Sequence, residues 1–349
     1  MIKTCCFASL LVLTAALTSN AAQGASKAPK PSFDQYVAKI TAEAIAKGYD
    51  KAMVNQALGQ LTYRKKVVKA DKNQPEVRQT LDTYLPKRVN AYVVKKARNL
   101  YKENQVLLDK IGEQYGVQPR FIVALWGLES AFGKYTGSHS VFASLMTLAY
   151  EGRRESFYRP QIFAALEIIK QGENTVEGLK GSWAGAMGQT QFMPTSYHNY
   201  AVDFDGDGKK DIWHTKADIF ASVANYLKTE GWNNTMTWGR QVKLPEAFDE
   251  KASIAKGSRS LSQWLGKWRS NEKSLADWSE MGIVRTNGQA LPARDLKAAL
   301  ILPDDKKGRA YLGYNNFKTL MHWNRSYYFV TSVGYLADRI HYPAIDFSK

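Results

Sequence analysis

Phe121–Lys134, FIVALWGLESAFGK, is an apolar stretch with a single carboxylate, Glu129, in its interior. Pro119 precedes it and suits a first helical turn, where its missing N–H costs nothing, and Gly133 supplies a C-terminal stop. At helical spacing Glu129 shares a face with Leu125, Trp126 and Phe132. A carboxylate pressed against indole and phenyl rings is poorly solvated, so its charged form is disfavoured and its pKa rises. A group so placed keeps its proton near neutral pH and can give it to a leaving group. A lone Glu near a helix end is more often an ordinary, partly solvated side chain, so the rest of the chain has to decide.

The 349 residues suffice for a large core, in one large domain or two small ones. Apolar residues make up 44% and aromatics 12%, which is globular rather than disordered. Lys3, an apolar run from Cys5 to about Leu17 and then small residues read as an export signal, residues 1–21, cleaved after Ala21 or near Gly24. The run is too short to span a bilayer. Both cysteines lie inside it, and neither follows the apolar run where a lipoprotein's modified cysteine would stand. The expectation is an exported, periplasmic, soluble and disulfide-free protein without a transmembrane segment. Of the formal net charge of +16, only Lys3 leaves with the signal, so the mature chain carries about +15. Such a surface suits polyanions, and export makes a cell wall rich in peptide carboxylates a better partner than nucleic acid.

Residues 22–31 form a polar leader. Helical periodicity begins at Ser32, with Phe33, Tyr36, Val37, Ile40 and Ala44 on one face, and stops near Gly48. A short helix over Lys51–Leu58 follows. Tyr63–Gln74 reads as a basic, irregular surface segment, and Pro86–Tyr115 as one long helix with Val89, Tyr92, Val93, Leu100, Tyr101, Leu107 and Ile111 inward. Further helices are expected over Val141–Tyr150, Pro160–Lys170 and Ala217–Lys228. From Trp238 to Asp305 the pattern changes to short alternating segments, read as strands at Gln241–Leu244, Gly282–Arg285 and Ala298–Leu302, with short helices at Leu261–Trp268 and Ser274–Met281. Helical periodicity returns at Asn316–His322 and Ser326–Ile340. The reading is a mainly α (α+β) chain: an N-terminal helical segment (22–115), a core (116–235), a small β-containing insertion (236–312) and C-terminal helices packing back (313–349).

Two further stretches carry chemistry. Gly181–Pro194, GSWAGAMGQTQFMP, has glycines and alanines that permit close backbone approach, either to a neighbouring helix or to a ligand. Ser182, Gln189 and Gln191 add neutral hydrogen-bonding groups of the kind sugar hydroxyls and acetamides need. Asp203–Asp211, DFDGDGKKD, matches the first nine positions of a calcium loop, with acidic oxygens at 1, 3, 5 and 9 and glycine at 6. The twelfth position is His214, and Asp218 supplies the missing acid if the loop is longer than standard. The alternative is a solvated acidic turn. The five histidines show no His-Glu-x-x-His, there is no Gly-x-Ser-x-Gly, and the mature chain holds no thiol. Carboxylate acid–base chemistry remains.

Glu129-Ser130 with Phe132-Gly133, the Gly181–Pro194 run, the acidic loop and Ala224-Asn225-Tyr226-Leu227 together resemble the membrane-bound lytic murein transglycosylase B family, over about residues 33 to 342. The resemblance implies a lysozyme-like core that cleaves the β-1,4 bond from N-acetylmuramic acid to N-acetylglucosamine without water, leaving 1,6-anhydromuramic ends. It implies Glu129 as the single acid and base, where a typical glycosidase needs two carboxylates. By the same motifs Ser182, Gln191, Phe192 and Met193 line the cleavage site. Tyr226 and Asn324 contact sugar, and Arg153 and Arg154 meet lactyl or peptide carboxylates. Asp203, Asp205, Asp207, Asp211, Asp218 and the Lys209 main-chain oxygen surround a structural Ca2+ or Na+, and no cofactor is required for the chemistry. Trp323 and Phe329 stand where some relatives have Tyr, and the family's membrane anchoring does not transfer. The expected partners are glycan strands and other cell-wall enzymes, for a monomer. A wall-binding protein without catalysis and a muramidase that admits water are the competing readings.

Overall fold

The structure, a computed structural model, describes residues 30–72, 79–253 and 260–341, so the expected signal segment lies outside the described residues. Contacts divide the chain into residues 1–32 and a unit from Phe33 onward. Helix α1 (Phe33–Ala46) buries Tyr36, Ile40 and Ala44, one residue per turn on a single stripe. Helix α2 (Lys51–Leu58) is capped by Asp50, whose carboxylate accepts from Met53 N at 2.8 Å.

The next segment departs from the sequence reading. Lys65–Lys72 is a helix, α3, rather than irregular, and it is anchored by the buried Val67 under a lysine-rich outer face. Gln74 lies outside the described residues. The single helix expected over Pro86–Tyr115 is instead α4 (Leu81–Arg88), α5 (Ala91–Glu103) and α6 (Gln105–Tyr115). Two asparagines make the breaks. Asn90 caps α5 by accepting from Val93 N at 3.0 Å, and Asn104 turns back to donate to Leu100 O at 2.7 Å. The breaks rotate the faces, so Tyr92 is 71% exposed rather than inward.

Helix α7 (Pro119–Ser130) follows, then β1 (His139–Ser140), α8 (Val141–Glu151), α9 (Glu155–Lys170), β2 (Lys180–Gly181), α10 (Pro194–Tyr200) and α11 (Lys216–Thr229). The last part contains β3 (Gly239–Lys243), α12 (Leu261–Asn271), β4 (Lys273–Ser274), α13 (Leu275–Glu280), β5 (Val284–Arg285), β6 (Lys297–Ile301) and β7 (Ala310–Gly313). It ends in α14 (Asn315–Trp323) and α15 (Tyr327–Ile340). The strands form an antiparallel sheet in the order β4-β6-β7-β3-β5. The three strands read from alternation are present within a residue or two. The central strand β7 has all four residues buried, so it lacks the alternation that would have marked it.

Among the described residues burial falls into three clusters. One joins α4 to α7 with α11, α14 and α15, a second joins α1 and α2 with α8 to α10, and a third sits on the sheet. Helix α7 is central to the first cluster: every residue from Arg120 to Ser130 is buried except Glu129. Trp323, the last residue of α14, packs against both the first and the second cluster.

Candidate active site

Helix α7 ends abruptly after Glu129. Ser130 Oγ donates to Trp126 O at 3.1 Å and accepts from Gly133 N at 3.0 Å, clamping the last turn. Ala131 and Phe132 then take left-handed φ values of 51° and 62°, an arrangement that costs L-residues energy and clusters at functional sites. The turn folds the Phe132 ring back edge-on to Trp126, with centroids 5.5 Å apart. Trp126 Nε1 donates to Gln189 Oε1 at 2.7 Å, and Gln189 Nε2 donates to Trp213 O at 2.7 Å, so this glutamine joins the helix to the small-residue loop.

Glu129 lies on the seam between the two helical clusters. Trp323 Nε1 donates to its Oε1 at 2.7 Å. Arg88, at the end of α4, donates through Nη2 to Leu128 O at 2.7 Å and so carries its charge beside the carboxyl. Burial raises the Glu129 pKa from 4.5 to about 7, against the smaller opposing effects of the Trp323 hydrogen bond and the Arg88 charge. The Trp323 indole lies 4.6 Å from the Tyr226 ring centroid and 5.3 Å from that of Phe192. Tyr200 packs on the far side of Tyr226 at 4.2 Å. Burial, with Tyr200 and Glu230 nearby, pushes the Tyr226 phenol well up, so it remains a neutral hydroxyl. Beneath this stack Glu230 pairs with His322 Nδ1 and accepts from Tyr200.

The Gly181–Pro194 loop is tied to the segment after α7. Strand β1 pairs with β2, and Gly137 lies so close to Gly181 that a Cβ there would overlap the Gly181 carbonyl. Ser182 Oγ accepts from Ala186 N at 3.1 Å and Ala184 N at 3.3 Å, shaping the loop. Gln191, at φ 51°, donates to Thr136 O at 3.1 Å and to Gly188 O at 2.9 Å. Met193 is the N-terminal cap of α10, and Asn324 the C-terminal cap of α14, where its Oδ1 accepts from Ser326 N at 3.1 Å. Thus Glu129, Trp323, Tyr226 and Phe192 form one contiguous group. Ser182 and Gln191 reach it through the loop they organise, and Asn324 through its chain neighbour.

Arg153 and Arg154, between α8 and α9, both bind the Asp71 carboxylate of α3. Among the described residues that acid is the partner of the basic pair, and it lies in the stretch the sequence left irregular. Arg88 gave no sequence signal either, because its effect on Glu129 depends on where α4 docks.

In the acidic loop, carboxylate oxygens of Asp203, Asp205 and Asp218 lie within 4.8 Å of one another. Asp218 is fully buried at the start of α11 and accepts from Phe204 N at 2.7 Å and Asp211 N at 2.8 Å. Asp207 accepts from Lys209 N at 2.9 Å. Asp211 stands apart from the group, since its carboxylate accepts from Trp213 N and His214 N at 2.8 and 2.9 Å. Three acidic groups so close repel, and burial with its two acidic neighbours raises the Asp218 pKa. A hard oxygen-seeking cation fits such a donor set.

The sequence matches the transglycosylase SLT domain over residues 32–338. The chain belongs to this family. It is 26% identical over 333 residues to the membrane-bound lytic murein transglycosylase B of Escherichia coli, spanning 91% of this chain and 84% of that one. It is similar to SltB3 of Pseudomonas aeruginosa, solved in complex with NAG-anhNAM-pentapeptide, with 38% identity and a TM-score of 0.79 over 88% of this chain and 79% of that one. It is also similar to the Escherichia coli lytic transglycosylase Slt35, solved in complex with calcium, with 26% identity and a TM-score of 0.72 over 90% and 93% of the two chains. This SLT transglycosylase has the lysozyme-like fold and is a lytic transglycosylase of peptidoglycan. No helix among its described residues is long and apolar enough to cross a membrane.

Proposed function

We propose that Glu129 is the single acid and base of a non-hydrolytic cleavage of the N-acetylmuramic acid to N-acetylglucosamine bond. The observation that carries this reading is the setting of Glu129, a carboxyl on a buried apolar helix that accepts from the Trp323 indole beside the Tyr226 and Phe192 rings. The Arg88 guanidinium is the charge that lowers its pKa, burial raises it further than that, and its Oε1 is held by the Trp323 N–H at 2.7 Å. Hydrolytic glycosidases place a second acid about 5 to 9.5 Å from the first, as nucleophile or as base for water. Here a neutral Glu129 gives its proton to the glycosidic oxygen as the C1–O bond breaks. The resulting carboxylate takes the proton of the muramyl C6 hydroxyl while O6 bonds to C1, and the enzyme regains its starting protonation with no water consumed. The SltB3 complex with NAG-anhNAM-pentapeptide supports a ring-closed product.

In this reading Tyr226, Phe192 and Met193 shape the sugar site, with Ser182, Gln191 and Asn324 at its edge. Arg153 and Arg154 attract stem carboxylates in competition with Asp71. Asp203, Asp205 and Asp218, with Asp207 and the Lys209 main-chain oxygen, would hold a Ca2+ or Na+ whose part is structural. We place the enzyme in the periplasm, acting as a soluble monomer on glycan strands.

The acid must be protonated to act, so activity is expected to fall as pH rises through about 7, the pKa of Glu129. A pH profile of sacculus digestion checks this. An alkaline limb near the ordinary carboxylate value, well below neutrality, would argue against Glu129 as the acid. Calcium in excess over a chelator is expected to raise the melting temperature by roughly 5 °C. Identical melting with Ca2+, with Na+ and with chelator would remove the cation from the account. The reading itself is tested by replacing Glu129, as argued in the Discussion.

A further inference from the structure

We propose that Trp323 is a positioning residue that fixes the transferable proton of Glu129 on Oε2, so that one oxygen both delivers the proton and takes it back. The inference rests on the reading of Glu129 as the acid and base. An indole N–H donates and has no lone pair to accept with, unlike a hydroxyl, which can do either. The 2.7 Å bond from Trp323 Nε1 therefore occupies Oε1 in both protonation states of the carboxyl. In the neutral state the carbonyl oxygen is the better acceptor, which makes Oε1 the carbonyl and leaves the proton on Oε2. In the ionised state the same bond becomes charge-assisted and stronger. A tyrosine at this position could reverse its hydroxyl and let the proton sit on either oxygen.

Both ends of the bond are held by separate parts of the fold. Glu129 is fixed by α7, whose residues from Arg120 to Leu128 are buried, and by the Ser130 clamp. Trp323 is fixed by its packing on Tyr226 and Phe192, with Tyr200 behind Tyr226. The groups that face this region are few. Arg88 of α4 supplies the charge acting on Glu129. Tyr226 of α11 is neutral, Lys96 of α5 sits over the Phe132 ring, and His322 of α14 is paired with Glu230, the C-terminal cap of α11. Trp323 is thus the side chain whose N–H touches the reacting carboxyl.

The test compares the full-length mature enzyme with Trp323→Phe and with a variant carrying 3-benzothienylalanine at position 323, which keeps the indole shape but replaces N–H by sulfur. Two readouts are taken: the pH profile of kcat on sacculi, and titration of the Glu129 carboxyl by carbon-13 NMR in substrate-free protein. Losing a bond that favours the ionised form should move the Glu129 titration and the alkaline limb upward by about one pH unit. The plateau kcat should fall roughly tenfold or more as the carboxyl loses its orientation. A merely structural loss that admits water would move the titration downward instead. A limb that stays or falls, or a shifted limb with an unchanged plateau, overturns the proposal. If Trp323→Phe does not fold, the benzothienyl variant decides alone. Failure of the Glu129 reading is seen separately, as retained activity in Glu129→Gln, whereas the substrate-free titration still reports on the Trp323 bond.

Discussion

Glu129→Gln is expected to lower kcat on peptidoglycan sacculi by roughly 10³-fold or more, because it removes both the proton donor and the base while leaving the shape intact. The glutamine carbonyl can still accept from Trp323 Nε1, so the seam between the two helical clusters should remain closed. The same substitution should stabilise the protein at alkaline pH. Folded Glu129 keeps its proton to about pH 7, whereas the unfolded chain loses it near 4.5. The folded state thus binds more protons within that window, and its stability falls as pH rises through it. The cost reaches about 3 kcal/mol above pH 7, and a neutral glutamine does not incur it. Chemical denaturation of both proteins at pH 5 and pH 8.5 checks the sign. Equal stability at both values would show that Glu129 is solvated, and activity within a few fold of wild type would refute its role.

Gly137→Ala is expected to destabilise the fold by about 3 kcal/mol or more, combining backbone strain with a clash that the neighbour cannot relieve. Its φ is +94°, and the added Cβ would overlap the Gly181 carbonyl and the Ser182 nitrogen, backbone atoms held by the β1–β2 pair and by the Ser182 N bond to Ala186 O. The clash pushes the Gly181–Pro194 loop away from the chain after α7, so activity should fall together with stability. Gly48→Ala is the control, since Gly48 has a similar φ of +86° but nothing within 4 Å of the new atom. It should cost only about 1 kcal/mol. Similar losses for the two variants would mean that the close approach at Gly137 carries no weight.

Most elements were legible because their patterns are local. Helix α7 announces itself by Pro119, its apolar run and its stop, and α1 by its apolar stripe ahead of Gly48. The raised pKa of Glu129 was also readable, since its apolar neighbours lie within one helical turn. The misreadings have physical causes. Asn90 and Asn104 break what looks like one amphipathic run, because a short amide side chain can satisfy backbone groups locally. Val67 is the one buried side chain of α3, too little apolar signal to outweigh a lysine-rich sequence. Strand β7 is buried on both faces and so shows no period of two.

The site was legible in its motifs and obscure in its long-range partners. Trp323 is 194 residues from Glu129, and nothing in the sequence around it indicates that its N–H meets the carboxyl. Asp71 takes both Arg153 and Arg154 from a segment that seemed structureless. Ser182 and Gln191 were singled out for sugar contacts, and in the fold their polar atoms also hold the loop together, which neutral polar residues in a glycine-rich stretch do not disclose in advance. The spacing of the acidic loop predicted a ring of ligands, but Asp211 turns to the backbone ahead of α11, leaving Asp203, Asp205 and Asp218 as the compact group.

The most direct test of the central claim is the mass of the products released from purified sacculi by the wild-type enzyme. If Glu129 alone serves as acid and base and the C6 hydroxyl closes on C1, the fragments will be lighter by one water than their hydrolysed counterparts and will carry no reducing muramyl end. Fragments with reducing muramyl ends would contradict the account, because they require water, and a base to activate it, at the position assigned here to the sugar's own hydroxyl.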